Sequence, residues 1–183
     1  MRGFKYIIVV LVVLQLVACG TSNSTKTTLP TSSAVVDVND ASVNLIGVIH
    51  REDLESAYPW FSEGYNNYSV DTKTMEAVKP YLEGVTVKVY MGTWCSDSQR
   101  EVPNFFKIMD SVDFHNIQVF GLDEDKTSPD GLEKDYNVLN VPTFVFLKDG
   151  KEINRMVEFP WDTLEKDMLA IFTTEDYKDP YKE

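Results

Sequence analysis

Cysteine is scarce in this 183-residue chain, with Cys19 and Cys95 as its two examples. They lie far apart in sequence, so a local Cys-x-x-Cys pair is absent and neither thiol has a neighbour with which to close a short disulfide loop. Histidine is equally sparse. His50 and His115 have no Cys or His at ligand spacing, which argues against a zinc site. Both read as ordinary surface or core histidines, and no residue pattern calls for a cofactor. Basic residues are also in deficit, 17 against 29 acidic; without residues 1–18, which hold Arg2 and Lys5, the charge is 15 − 29 = −14. Such a surface excludes nucleic acid and anionic headgroups as natural partners, and solubility is its ordinary use. The long apolar run is confined to residues 7–17, too short to span a bilayer permanently. No internal repeat is visible.

What is present suffices for one domain, since 43% of the chain is apolar and 12% aromatic. The cationic start and the apolar run after it have the layout of an export signal. Leu16, Val17, Ala18, Cys19 and Gly20 then resemble the lipobox of bacterial lipoproteins. That resemblance implies diacylation of Cys19 and anchorage in the cell membrane or outer membrane, facing the periplasm; Gly20 in place of Asp implies outer-membrane sorting. An ordinary cleaved signal, or an uncleaved anchor, would also export the domain. Residues 20–42 are rich in Ser, Thr and Asn, the composition of a flexible tether spanning about 25 Å. The predicted organisation is therefore a signal peptide at 1–18, a lipidated Cys and tether at 19–42, and a domain at 43–183. Within that domain, 43–84 is an N-terminal strand and helix extension, and 85–175 is the core.

Residues 43–49 read as a strand, and 53–65 as helical with a break or kink at Pro59. A helix over 71–81 is predicted from Asp71 as cap and from Met75, Val78 and Leu82 at helical spacing. Then come a β-branched run at 85–91, an amphipathic stretch at 96–111 and a strand at 117–122, the pattern of a βαβ unit with a parallel pair. A short helix is predicted at 129–136. Strands at 143–147 and 152–158 flank Asp149 and Gly150, a hairpin signal. A closing helix at 162–172 takes Asp162 or Thr163 as cap.

Thr93, Trp94, Cys95, Ser96, Asp97 and Ser98 join a strand to a helix and resemble the active-site turn of the thioredoxin family, which usually writes Trp-Cys-x-x-Cys there. Pro103 stands at the spacing of that family's helix proline, and Asn140, Val141, Pro142, Thr143 and Phe144 resemble its cis-proline loop. The similarity covers residues 86–172 in matching order. It implies an α/β thioredoxin fold, a central mixed sheet flanked by helices. It also implies catalytic roles around Cys95, Ser98, Pro142, Trp94 and Asp97. One departure is Val89, which holds the place of the family's buried Asp.

The chemistry of these positions is readable without the family. A Cys at the first turn of a helix meets unpaired N–H groups and the positive dipole end, both of which favour thiolate. Asp97 opposes this by roughly 1 kcal/mol at ~6 Å and an effective dielectric near ~60. It serves either as a helix-capping charge or in proton transfer. Ser98 stands where a resolving Cys would be; its hydroxyl could donate to the Cys95 sulfur but not close a disulfide. Pro142, if cis, places the Val141 backbone opposite Cys95 and leaves an edge for a substrate strand. Trp94 packs beside the thiol, whereas Trp60 and Trp161 read as buried or half-buried aromatics.

Three functions follow from this pattern. The first is monothiol thiol–disulfide exchange through a mixed disulfide on Cys95, with protein thiols or disulfides as partners and an external reducing thiol for release. The second is a redox-inactive module that binds a peptide strand near the Pro142 loop. The third is a thiol peroxidase, which has no second Cys to resolve a sulfenate.

Overall fold

The computed structural model describes residues 43–174 and 176–181. The export signal, Cys19 and the tether read at 1–42 lie outside these described residues. Strands β1 (Gly47–Ile49), β2 (Val85–Met91), β3 (Ile117–Gly121), β4 (Thr143–Lys148) and β5 (Lys151–Val157) make one mixed sheet in the order β1-β3-β2-β4-β5. Among the described residues five α-helices accompany it: α1 (Arg51–Ala57), α2 (Pro59–Asn67), α3 (Thr72–Val78), α4 (Ser96–Asp110) and α5 (Leu164–Thr173). The central strand β2 runs parallel to β3, with Val89 beside Val119, and antiparallel to β4, with Val89 beside Phe144. This is the α/β architecture expected from the sequence.

Alternation along β2 divides the interior in two, as the period of a strand requires. Val87, Val89 and Met91 face a large cluster with Phe144, Phe146 and Met156, closed by Val102, Phe105 and Met109 of α4 and by Leu164 and Met168 of α5. Leu54, Phe61, Met75 and Val78 of the N-terminal extension belong to that same cluster. Tyr90 points the other way, into a smaller cluster with Phe120, Leu122, Val138, Val141, Val145 and Leu147.

Polar contacts also tie the extension down. Glu165, 1% exposed, accepts from the Tyr68 hydroxyl at 2.9 Å and from the Asp71 amide at 3.0 Å. Asp110 pairs with Arg51 at 2.8 Å and accepts from Tyr65 at 2.7 Å. The extension is thus part of the core rather than an appendage.

Several local expectations needed revision. The predicted strand at 43–49 shrinks to Gly47–Ile49, because Leu45 spends its amide on Thr93 and Gly47 has a φ of +96°. Pro59 does not kink one helix; it occupies the first turn of a second one, where its missing N–H costs nothing. The helix read over 71–81 holds to Val78 and tightens to a 3-10 turn at Lys79–Tyr81, with Asp71 accepting from Thr74 at the cap. The helix read at 129–136 is reduced to a 3-10 turn at Lys134–Tyr136. There the Ser128 hydroxyl donates to Glu133 and accepts from the Leu132 amide, and these side-chain bonds hold a turn in place of a helical one. The hairpin forms as expected: Asp149 and Gly150 have φ of 51° and 79°, the pair of positive values a two-residue turn needs.

Candidate active site

Strand β2 ends at Met91, and the chain turns through Gly92, Thr93 and Trp94 before α4 begins. The turn is closed by the Cys95 amide donating to the Gly92 carbonyl at 3.0 Å. Cys95 is the N-cap: its backbone is extended, and its carbonyl accepts the first helical bond, from Gln99, at 2.9 Å. The half-buried thiol thus lies at the amide-rich end of a 15-residue helix.

Opposite it stands the loop before β4, where the Val141–Pro142 peptide is cis. The Cys95 thiol donates to the Val141 carbonyl at 3.3 Å. Pro142 is itself held from behind, its carbonyl accepting the Glu158 amide at 2.7 Å. Residues 46 apart in sequence meet here because β2 and β4 are neighbours in the sheet.

The remaining predicted residues are distributed as follows. Trp94 is half-buried, donates from Nε1 to the Leu122 carbonyl at 2.9 Å, and packs with Cys95 against the Tyr90 cluster. A Cβ on Gly92 would stand 2.5 Å from the indole, so the ring lies where only glycine leaves room. Asp97 pairs with Arg100 across one helical turn at 2.7 Å, a cation that offsets the field its carboxylate exerts on the sulfur. Ser98 is fully buried, and its hydroxyl accepts the Gly92 amide at 3.2 Å. The sequence allowed it to donate to the thiol; instead the thiol donates to the Val141 carbonyl and the Ser98 oxygen accepts the amide that the tight turn between strand and helix brings to it. Val89 is buried beneath the site and supplies no acid there. Trp161, read as at least half-buried, is 65% exposed, with its Nε1 donating to the Lys178 carbonyl at 2.8 Å.

Sequence reasoning overlooked several residues that shape this turn. Thr93 is buried; its hydroxyl accepts the Leu45 amide at 3.2 Å and donates to Asn44 at 3.3 Å, so the N-terminal extension clamps the turn. Gln99 donates to the Thr93 carbonyl at 2.7 Å. Glu101 is buried, and burial lifts its carboxyl above the ordinary range, with Arg100 at 2.6 Å partly offsetting that. Of these, the Asp97 and Arg100 pair was open to discovery from its i, i+3 spacing. The others depend on contacts distant in sequence or on the shape of the turn.

The curated relatives that resemble this chain are thioredoxins. Thioredoxin H2 of Arabidopsis thaliana is 35% identical over 77 residues, 42% of this chain and 55% of its own. Thioredoxin H-type of Picea mariana is 28% identical over 103 residues, 56% of this chain and 71% of its own. The chain spans a little over half the length of the relatives it matches at 34% and 35% identity. Among solved structures, a mutant thioredoxin from Halobacterium salinarum aligns at a TM-score of 0.35 and 20% identity, covering 57% of this chain and 87% of that one. The family model described as thioredoxin matches residues 59–171, a stretch that takes in both the Cys95 turn and the cis-proline loop, and by that match the chain belongs to the thioredoxin family.

Proposed function

We propose that the domain catalyses thiol–disulfide exchange through Cys95 alone. The observation that carries this reading is the Cys95 sulfur at a helix N-cap, facing the Val141 carbonyl of a cis-proline loop. The Cys95 thiolate attacks one sulfur of a substrate disulfide; that S–S bond breaks, the other sulfur leaves as thiolate, and a mixed disulfide forms. An external thiolate then attacks the substrate sulfur of the mixed disulfide and releases Cys95 as thiolate. The cycle exchanges partners without net oxidation. Ser98, lacking a thiol, leaves the second step to the external partner.

The test is trapping. Wild-type protein incubated with a disulfide-bonded protein should yield a reducible adduct that Cys95→Ser does not form, and absence of the adduct in wild type overturns the proposal.

A second reading, a redox-inactive binding module, is favoured by the Ser98 hydroxyl bonded to Gly92 and by Val89 in place of an acid. It requires that Cys95→Ala leave partner affinity unchanged.

We also propose, from residues 1–42, that the chain is exported and lipid-anchored through Cys19 in the cell membrane or outer membrane. Among the described residues no helix is long and apolar enough to cross a membrane. Incorporation of labelled palmitate that Cys19→Ala abolishes would support the anchor, and unlabelled wild-type protein would refute it.

A further inference from the structure

Beside the cis-proline loop lies a pocket of about 570 Å³ that the exchange chemistry does not use. Asn140 and Thr143, which flank Val141 and Pro142, form its near wall; β5 forms its floor, and Asp179 and Tyr181 of the C-terminal segment close it. That segment is fixed in place. The Tyr177 hydroxyl donates to Asp167 at 2.9 Å, Asn154 donates to the Tyr177 carbonyl at 2.9 Å, and the Tyr181 hydroxyl meets the Glu158 carboxylate. Through Glu158, whose amide holds the Pro142 carbonyl, the same strand end supports both the pocket and the loop facing Cys95.

The charges in the pocket do not cancel. Arg155 is engaged by Glu152 through two bonds, at 2.7 and 2.8 Å, so that cation and that carboxylate satisfy each other. Arg155 also faces Asp179, so the two carboxylates share one cation and the pocket keeps one negative charge in excess. Asp179 is 8% exposed, one of its oxygens accepts the Tyr181 amide at 3.0 Å, and the other has no hydrogen-bond partner among the described residues. That open oxygen is reached by solvent in the pocket, where a donor from a ligand can replace water. The rim has the complementary apolar character: Leu139 is 68% exposed, Ile153 43% and Tyr181 55%. An aliphatic stem can lie along such side chains while its charged head reaches a carboxylate below.

The geometry points to a subsite for a lysine or arginine side chain of the substrate protein, carried near the cysteine that reacts with Cys95 and bound with its cation at Asp179. This rests on reading Cys95 as the reactive thiol, and it narrows the substrates to cysteines in cationic segments. It also gives the acidic C-terminal segment a part in recognition.

The test is binding by the full chain carrying Cys95→Ser, which excludes covalent capture. Peptides with one reduced cysteine are titrated in three versions, with lysine, norleucine or glutamine at successive positions after the cysteine. At one position the lysine peptide should bind about tenfold more tightly than the norleucine peptide, the size of one charged hydrogen bond. Asp179→Asn should abolish that preference and leave the glutamine peptide unchanged. Equal affinity for lysine and norleucine at every position overturns the subsite, and because the same Cys95→Ser protein is used throughout, its binding of the norleucine peptides shows that it is folded. A preference that survives Asp179→Asn also overturns it. Failure of the exchange reading is seen separately, as absence of a mixed disulfide between wild-type protein and any of the peptides in disulfide form.

Discussion

On one face of the sheet, Val87, Val89, Phe144 and Phe146 are closed over by two helices and joined by the side chains of the N-terminal extension. On the other face, Tyr90, Val145 and Leu147 are closed over by the connection between β3 and β4, whose one regular element is the 3-10 turn at Lys134–Tyr136. The first face is the larger interior, rich in phenylalanine rings and including the buried phenols Tyr58 and Tyr177. The second is smaller and carries the residues beside Cys95 and Trp94. Stability is therefore concentrated on the helical face, and the proposed exchange chemistry sits where the covering is a loop, in keeping with the way loops on a rigid scaffold carry sites.

Substitutions can sharpen or break this contrast. The largest effect is expected on the helical face: Phe105, fully buried with its ring 4.7 Å from Phe144, should cost about 3–5 kcal/mol as Phe105→Ala, read as a lower denaturant midpoint. A loss well below 1 kcal/mol would mean that this face does not carry the fold. Next comes the seam between extension and active turn, where Thr93→Val strands the Leu45 amide. We expect a loss of about 1–3 kcal/mol, accompanied by faster hydrogen exchange in the turn. Smaller again on the thiol is the effect of Arg100→Ala, which removes the cation paired with both Asp97 and Glu101. Alkylation of Cys95 at neutral pH should slow by up to about fivefold, the equivalent of roughly 1 kcal/mol for a carboxylate at ~6 Å and an effective dielectric near ~60; an unchanged rate would show that solvent already screens Asp97.

On the second face, the Tyr90 hydroxyl is buried with no hydrogen-bond partner among the described residues, and burial raises its pKa. Tyr90→Phe should be neutral or stabilise by up to about 1 kcal/mol, and a clear destabilisation would reveal a partner for that hydroxyl. The smallest expected signal is a slope. The Glu101 carboxyl is raised above the ordinary 4.5, chiefly by burial, so the folded state holds its proton more tightly than the unfolded one. Its contribution to stability therefore falls as pH rises from about 4.5 through the folded-state midpoint. Glu101→Gln should flatten that part of the stability curve, and an identical slope in the variant would assign it elsewhere.

Much of this arrangement was readable from local pattern. The β-branched run gives β2 at its observed bounds, and Asp149 with Gly150 gives the hairpin, because each depends on neighbours a few residues away. The helix at 96–110 was likewise visible, with Cys95 at its start. What escaped is of another kind. Ser128 and Glu133 replace a helix with side-chain bonds that periodicity does not register. Ser98 turns to an amide whose position is set by the close approach of strand and helix. Leu45 reaches Thr93 across 48 residues, and Tyr181 meets Glu158 across 23; neither contact has a local signature.

The Leu45 contact has a mechanical side. A pull on the chain ahead of Val43 is borne by the Tyr58 hydroxyl on the Val43 carbonyl, by Asn44 and Leu45 on Thr93, and by the three-residue ladder of β1 on β3. Thr93 is the residue before Trp94 and two before Cys95, so a force entering there would be passed directly to the Cys95 turn.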